Sequence, residues 1–420
     1  MAGKRRSRTR RSNKNKDDQM EQPDWLALTS DLLEPIAQRS RDAVTGVTPF
    51  RSVCRTWRVA VGDAPRLLLP ARESGSTPPR AGSKHALVFP LSHGWSIVVD
   101  ALDTSCHLSH LKTGATAPLP KITAVRDSKT SSDIRHIRYV NHTNDKSKPR
   151  GSRLSFCPSG TKIKIDTGSL KRFFRTYQEF SDGFRFALHV PPGNVAASTD
   201  NMMIIMCNDY LLGSRKEAMV LCRPGDAAWT KLANSPSYSW EYAVDLACFQ
   251  GKIYGLEHDG VTSVFDANTL EFLHPIDAPQ STSRLFSVLY PSEADLVVFD
   301  YFNFVALPSK LLLIVASVEA LELQGFTFFE LVPGNRKPSW SKVTGDAIGG
   351  NYDVFMDFYH ATFTHNAVQR GSRIYYVLGQ RWNPNTSAYC YEINDGNLKC
   401  LYRSPDDSGE YSTKPSWFIP

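Results

Sequence analysis

Three groups of side chains have types and spacings that suggest chemistry. Cys106-His107-Leu108-Ser109-His110 places three metal-ligating residues within five positions. A strand alternates its side chains, so Cys106 and His110 share one face and His107 takes the other; a closed zinc site needs four converging ligands. Tyr359-His360 with His365 has the flavour of a copper site in a strand-built oxidase. An offset of five sends the two imidazoles to opposite faces of a continuous strand. Cys390 and Cys400 flank the turn Asn394-Asp395-Gly396. A three-residue loop would set them opposite each other, and a two-residue Asp-Gly turn would point them to opposite faces. The phosphate-cradling, dinucleotide, zinc-protease and nucleophile-elbow motifs are all absent. The expectation is a protein without catalytic residues, metal or cofactor, not an enzyme.

Composition narrows the class. At 41% hydrophobic and 22% charged, the 420 residues suit a folded chain rather than a disordered one. The 26 Gly and 26 Pro are scattered without a period of three. The longest apolar run, Leu311 to Val318, falls well short of the roughly 20 residues that span a bilayer. The eight cysteines are mostly far apart and never form C-x-x-C, which predicts buried thiols in a reducing compartment. Residues 1–16 hold eight Lys and Arg and no acid, so the net charge of +7 belongs to the tail, and the rest of the chain is close to neutral. Lys4, Arg5, Arg6, Arg8, Arg10 and Arg11 are the candidate nuclear-import signal. A solvated tail is the alternative, and nucleic acid is not expected as a partner. The predicted location is the nucleus, the cytoplasm or both, without a membrane.

These side chains need elements to position them. Residues 1–22 read as a disordered basic tail. Residues 23–69 read as helical: Trp25, Leu28, Leu32 and Ile36 fall at i, i+3, i+7 and i+11, with Ser30 as a candidate N-cap. Pro35 is awkward inside that stripe. Phe50, Val53, Cys54, Trp57 and Val61 form a second stripe behind Pro49, and Val44 and Val47 lie in a segment that could carry a small middle helix. Residues 70–84 are rich in Pro, Gly and Ser and read as a linker. From 85 to 420 the pattern is β: runs such as Met202-Met-Ile-Ile-Met, Lys252-Ile-Tyr-Gly-Leu and Arg373-Ile-Tyr-Tyr-Val-Leu alternate with turn residues. Gly251 to Asp266 resembles Gly371 to Ile393, and Trp229-Thr-Lys-Leu matches Trp340-Ser-Lys-Val. A recurring strand unit with aromatic punctuation predicts a propeller, and a blade period of roughly 40–50 residues predicts about seven blades. A pair of β-sandwiches explains the repeats less well.

Two sets of phrases carry family resemblances. Leu28-Thr29-Ser30-Asp31-Leu32-Leu33 with Ile36, then Phe50-Arg51-Ser52-Val53-Cys54-Arg55-Thr56-Trp57-Arg58, resembles an F-box. It departs from that family's pattern at Thr29, where Pro is usual, and at Pro35. Leu111-Lys-Thr-Gly-Ala-Thr-Ala-Pro-Leu-Pro, Cys222-Arg-Pro-Gly-Asp-Ala-Ala-Trp-Thr, Ala247-Cys-Phe-Gln-Gly-Lys-Ile-Tyr-Gly-Leu and Lys414-Pro-Ser-Trp-Phe-Ile-Pro resemble the KIB-type, kelch-like β-propeller domain of plant F-box proteins. The resemblance implies a small all-α F-box helical module followed by a large all-β propeller. It implies a substrate receptor of a Skp–cullin–F-box ubiquitin ligase, with a Skp-family adaptor, through it a cullin, and a protein substrate as partners. Leu28, Leu32, Leu33, Ile36, Val53 and Trp57 are the adaptor-facing or F-box core set. The alternative is a propeller scaffold or nuclear interaction protein whose F-box does not dock. A propeller enzyme is the third reading.

Overall fold

A computed structural model describes residues 28–42, 44–62, 64–68, 86–91, 94–100, 104–110, 113–126, 132–140, 153–157, 184–190, 199, 202–208, 219–231, 243–257, 260–279, 298–319, 322–334, 337–349, 352–357, 361–365, 371–379, 386–404 and 416–419. The basic tail, Trp25 and the 70–84 linker lie outside them. Two compact units form: Met1–Arg41 with Val47–Gly62, and Asp42–Gly46 with Asp63–Pro420.

The first unit holds three short helices: α1 (Ser30–Arg39), α2 (Thr48–Arg51) and α3 (Arg55–Ala60). Thr29, not Ser30, is the N-cap of α1, and Asp31 sits in the first turn, where negative charge suits the helix dipole. The helix runs through Pro35. The second predicted stripe is broken in two. Ser52 is the C-cap of α2; Cys54 is extended, and its thiol accepts a hydrogen bond from Trp57 N at 3.4 Å, so it caps α3. The ring of Trp57 stacks on Phe50 with centroids 4.3 Å apart. The segment with Val44 is not helical: Asp42 Oδ1 accepts from Val44 N and Thr45 N, both at 2.9 Å, and Asp42 bridges to Gly46.

The second unit opens with β1 (Arg66–Leu68) and then builds five blades. The first contains β2 (Ala86–Pro90), β3 (Trp95–Asp100), β4 (Cys106–His110) and β5 (Thr116–Leu119). The second is a seven-stranded sheet of β6 (Ala124–Arg126), β7 (Arg135–Val140), β8 (Arg153–Cys157), β9 (Phe184–His189), β10 (Met203–Asn208), β11 (Met219–Cys222) and β12 (Trp229–Lys231). Strands β9 to β12 are a four-stranded meander; β6 pairs parallel to β12, with Arg126 Nε donating to Thr230 Oγ1 at 2.8 Å, and the β7–β8 hairpin follows outward. The third blade is β13 (Ala243–Phe249), β14 (Lys252–Glu257), β15 (Thr262–Asp266) and β16 (Phe272–Ile276). The fourth is β17 (Val298–Ala306), β18 (Leu311–Glu319), β19 (Glu322–Val332) and β20 (Ser339–Val343). The fifth is β21 (Tyr352–Met356), β22 (Ala361–His365), β23 (Arg373–Gly379), β24 (Thr386–Glu392) and β25 (Asn397–Arg403), with β22 at its edge and β21 parallel to β23. Finally β26 (Ser416–Phe418) pairs with β1.

Blade-on-blade packing explains why several runs are apolar without alternation. Met202, Ile204 and Met206 pack with the first blade, whereas Met203 and Ile205 pack with the third. Along β18, Leu311, Leu313 and Val315 face the third blade and Leu312, Ile314 and Ala316 the fifth. Both faces of such strands are dry, so every position favours an apolar residue. Burying one such side chain contributes roughly 1.5–3 kcal/mol.

Two expectations are corrected. The described residues form five blades, not about seven: the first and third fit 34-residue stretches (Ala86–Leu119 and Ala243–Ile276), but the second draws strands from Ala124 through Lys231. Dividing length by a uniform period counted that added chain as blades. The F-box helical module is also not observed. The helical part amounts to helices of 10, 4 and 6 residues, because extended Cys54 interrupts the second stripe.

Candidate protein-interaction surface

On the helices, the six residues singled out from sequence separate into two sets. Leu33 and Trp57 are buried, together with Ala37, Val47 and Val61. Leu32 is 51% exposed and Val53 52%, Ile36 is also exposed, and Leu28 is half-buried. The inward face of α1 is therefore Leu33 and Ala37, one position on from the predicted stripe, so Leu32 and Ile36 turn to solvent. Val59, absent from the predicted set, is exposed as well. Arg39, Arg55 and Arg58 are exposed beside these apolar residues. Such a surface suits contact with another protein, since a lone exposed Leu is ordinary but several on one short segment are less so. Leu33→Ala is expected to destabilise this unit by about 2–5 kcal/mol, whereas Leu32→Ala should stay within about 0.5 kcal/mol. Chemical denaturation followed by Trp57 fluorescence, in chains where the other tryptophans are replaced by phenylalanine, measures both.

Elsewhere the chemistry-bearing residues serve the sheets. Cys106 and His110 are buried and His107 is exposed, so they face apart. His110 Nδ1 contacts Thr113 Oγ1 at 2.9 Å and accepts from Thr113 N at 3.1 Å, and its ring meets Trp95 edge-on at 4.9 Å. Burial pushes the Cys106 thiol up to about 12, so it stays protonated. Cys390 pairs with Lys399 and Cys400 with Tyr389, across a turn that leaves Cys390 buried and Cys400 exposed on opposite faces. His365 is exposed at the end of β22, while Tyr359 and His360 lie outside the described residues. Among the described residues, no group of three or more His, Cys, Asp and Glu could hold a metal ion. Sequence reasoning missed the buried carboxylates Asp245, Glu257, Asp353 and Asp357. Acids inside β runs were the only signal; Asp245 and Asp357 accept from main-chain donors, and Glu257 from Ser263 Oγ at 3.2 Å.

Two histidines set an acid sensitivity. Burial, then neighbouring Arg223, holds His189 below the ordinary value of 6.5, and burial does the same for His274. Unfolded imidazoles take up protons first as pH falls. Stability is therefore full above about pH 6.5 and declines below it. Melting temperatures taken from pH 7.5 down to 5 should fall, with a shallower slope in the His189→Gln variant.

The blades described above match a known domain. The KIB1-4 β-propeller profile covers residues 69–408, well over half of the sequence. The chain belongs to the KIB1-4 β-propeller family. No curated protein matches this KIB1-4 chain. Among solved structures, the crystal structure of the Myceliophteria thermophila Cps50 (Swd1) β-propeller domain aligns over 79% of this chain and 89% of that one, at 10% identity and a TM-score of 0.31. The KIB1-4 match begins after β1 and ends before β26, so both strands of the terminal pair lie outside it.

Proposed function

We propose that this KIB1-4 protein is a non-catalytic scaffold for protein–protein contacts. The observation that carries the reading is the five-bladed propeller itself: a rigid set of sheets whose connecting loops present side chains at the ends, the common use of the architecture. Its test is affinity capture of the tagged full chain, followed by reconstitution of each stoichiometric partner from purified components. At least one partner should bind with a micromolar or tighter Kd. If none survives reconstitution, the scaffold reading fails.

The exposed Leu32, Ile36 and Val53 favour a narrower second reading: the helical segment docks a Skp-family adaptor and through it a cullin, and the propeller holds a target for ubiquitination. Recruitment of this kind raises effective concentration and needs no chemistry in the receptor. Co-purification with the adaptor tests it, using Leu32→Asp as the control because Leu32 is outside the core and its loss should leave the fold intact. Binding by the parent and loss in the variant support this reading; failure of the folded parent leaves the scaffold reading alone. The tail residues Lys4 to Arg11 would serve nuclear import, tested by locating the chain with and without residues 1–16.

A further inference from the structure

The outward face of the last blade is apolar, and among the described residues it is covered by β1, β26 and Val44. Phe355, Tyr375, Val377, Ala388 and Cys390 are buried there under Leu67 of β1 and Trp417 of β26, with Val44 packed alongside. Trp417 is held by two hydrogen bonds and two ring contacts. Its main-chain N donates to Asp357 Oδ2 at 2.9 Å and its indole Nε1 to Met356 O at 3.1 Å, and its ring meets Phe355 and Tyr375 edge-on at 5.5 and 5.6 Å. The Asp42–Gly46 turn joins the same layer. Lys399 of β25 lowers the Asp42 carboxyl electrostatically, after the larger effect of its own turn hydrogen bonds. Gly46 has φ +62°, and a Cβ there would sit 3.2 Å from Arg66 Cβ and 3.3 Å from Ala64 O, so only glycine lets the turn lie against β1.

We propose that these three segments, Asp42–Gly46, β1 and β26, form one detachable cap that stands in for a blade. Its seat on β21, β23 and β24 is a binding face for an extended segment carrying a tryptophan. None of the three segments is long enough to be stable by itself, and an isolated two-stranded ribbon is marginal in water. What holds them is the shared seat, so they open together as a local unit while the blades stay closed. The occupant is this chain's own Ser416–Ile419. Asp357 recognises its main-chain donor, and the Met356 carbonyl its indole.

Cys390 beneath the cap reports on its opening. Alkylation by iodoacetamide, resolved site by site with mass spectrometry in the full-length chain, is read at Cys390, with buried Cys106 of the first blade as the internal reference. In Trp417→Ala, Cys390 should react about tenfold faster while Cys106 stays protected, and hydrogen exchange at 42–46 and 66–68 should quicken together. A synthetic peptide of residues 411–420 should slow Cys390 again, and the same peptide carrying Trp417→Ala should not. Unchanged Cys390 reactivity, exchange confined to 416–418, or a peptide without effect would each overturn the proposal. If Trp417→Ala unfolds the chain, Asp357→Asn decides: it keeps the shape and weakens the acceptor for Trp417 N. A faster Cys390 beside a protected Cys106 then supports the cap, and equal exposure of both thiols rejects it.

Discussion

Asp245→Ala is expected to lower propeller stability by about 2–4 kcal/mol, read as a shift in urea midpoint at unchanged slope. Asp245 is buried in the third blade, but its oxygens serve two main chains: Oδ2 accepts from Phe304 N of the fourth blade at 2.6 Å and Oδ1 from Leu246 N at 2.8 Å. Strand β13 carries a bulge between Ala243 and Asp245, a local irregularity of the kind that re-aims a side chain. Removing the carboxylate strands a buried donor at the seam between two blades, and an unmet buried donor costs more than a met one gains. Asp245→Asn keeps one acceptor and should lose less than half as much. A loss below about 1 kcal/mol for the alanine variant would show that water or another acceptor replaces the carboxylate.

Trp229→Ala should cost about 3–5 kcal/mol, the range for emptying a buried indole site. Trp229 is fully buried in the cluster joining the first two blades, near Phe186 and in register with Val125 of β6. Among the described residues its buried Nε1 has no acceptor, whereas the indole of Trp417 has one. Trp229→Phe therefore sheds a costly polar group along with some contact area and should lose under about 1.5 kcal/mol. Trp417→Phe loses a made hydrogen bond besides. Thermal unfolding of the two phenylalanine variants should rank Trp229→Phe as the milder.

Part of this was legible from residues alone. The runs at Met219, Lys252 and Arg373 are strands because both faces of each are dry, which leaves an apolar sequence bounded by turn residues. The matched phrases fall at matched places: Trp229 lies in β12 and Trp340 in β20, each the last strand of a four-stranded meander. Blade number was not legible, because nothing local distinguishes β6, which joins a sheet completed some hundred residues later, from a strand opening a blade of its own. On the helices, side-chain type could not separate Leu32 from Leu33, neighbours of identical chemistry. Only the fold decides which of the two is covered: Leu33 is buried and Leu32 exposed. The cap was illegible because its pieces are short turns and three-residue strands from opposite ends of the chain.

The parallel pairing of β6 with β12 also sets a timetable for synthesis. The β7–β8 hairpin leaves the ribosome complete at Cys157, but the strand on which its sheet depends ends at Lys231, about 70 residues later. At roughly 5–20 residues per second, translation leaves β6, β7 and β8 waiting about 4–15 s without β12. During that interval β6 is an unpaired edge open to the wrong partner. Ribosome-bound chains stalled just after Cys157 has emerged should be cut by protease within 124–157, and chains stalled once Lys231 has emerged should be protected there.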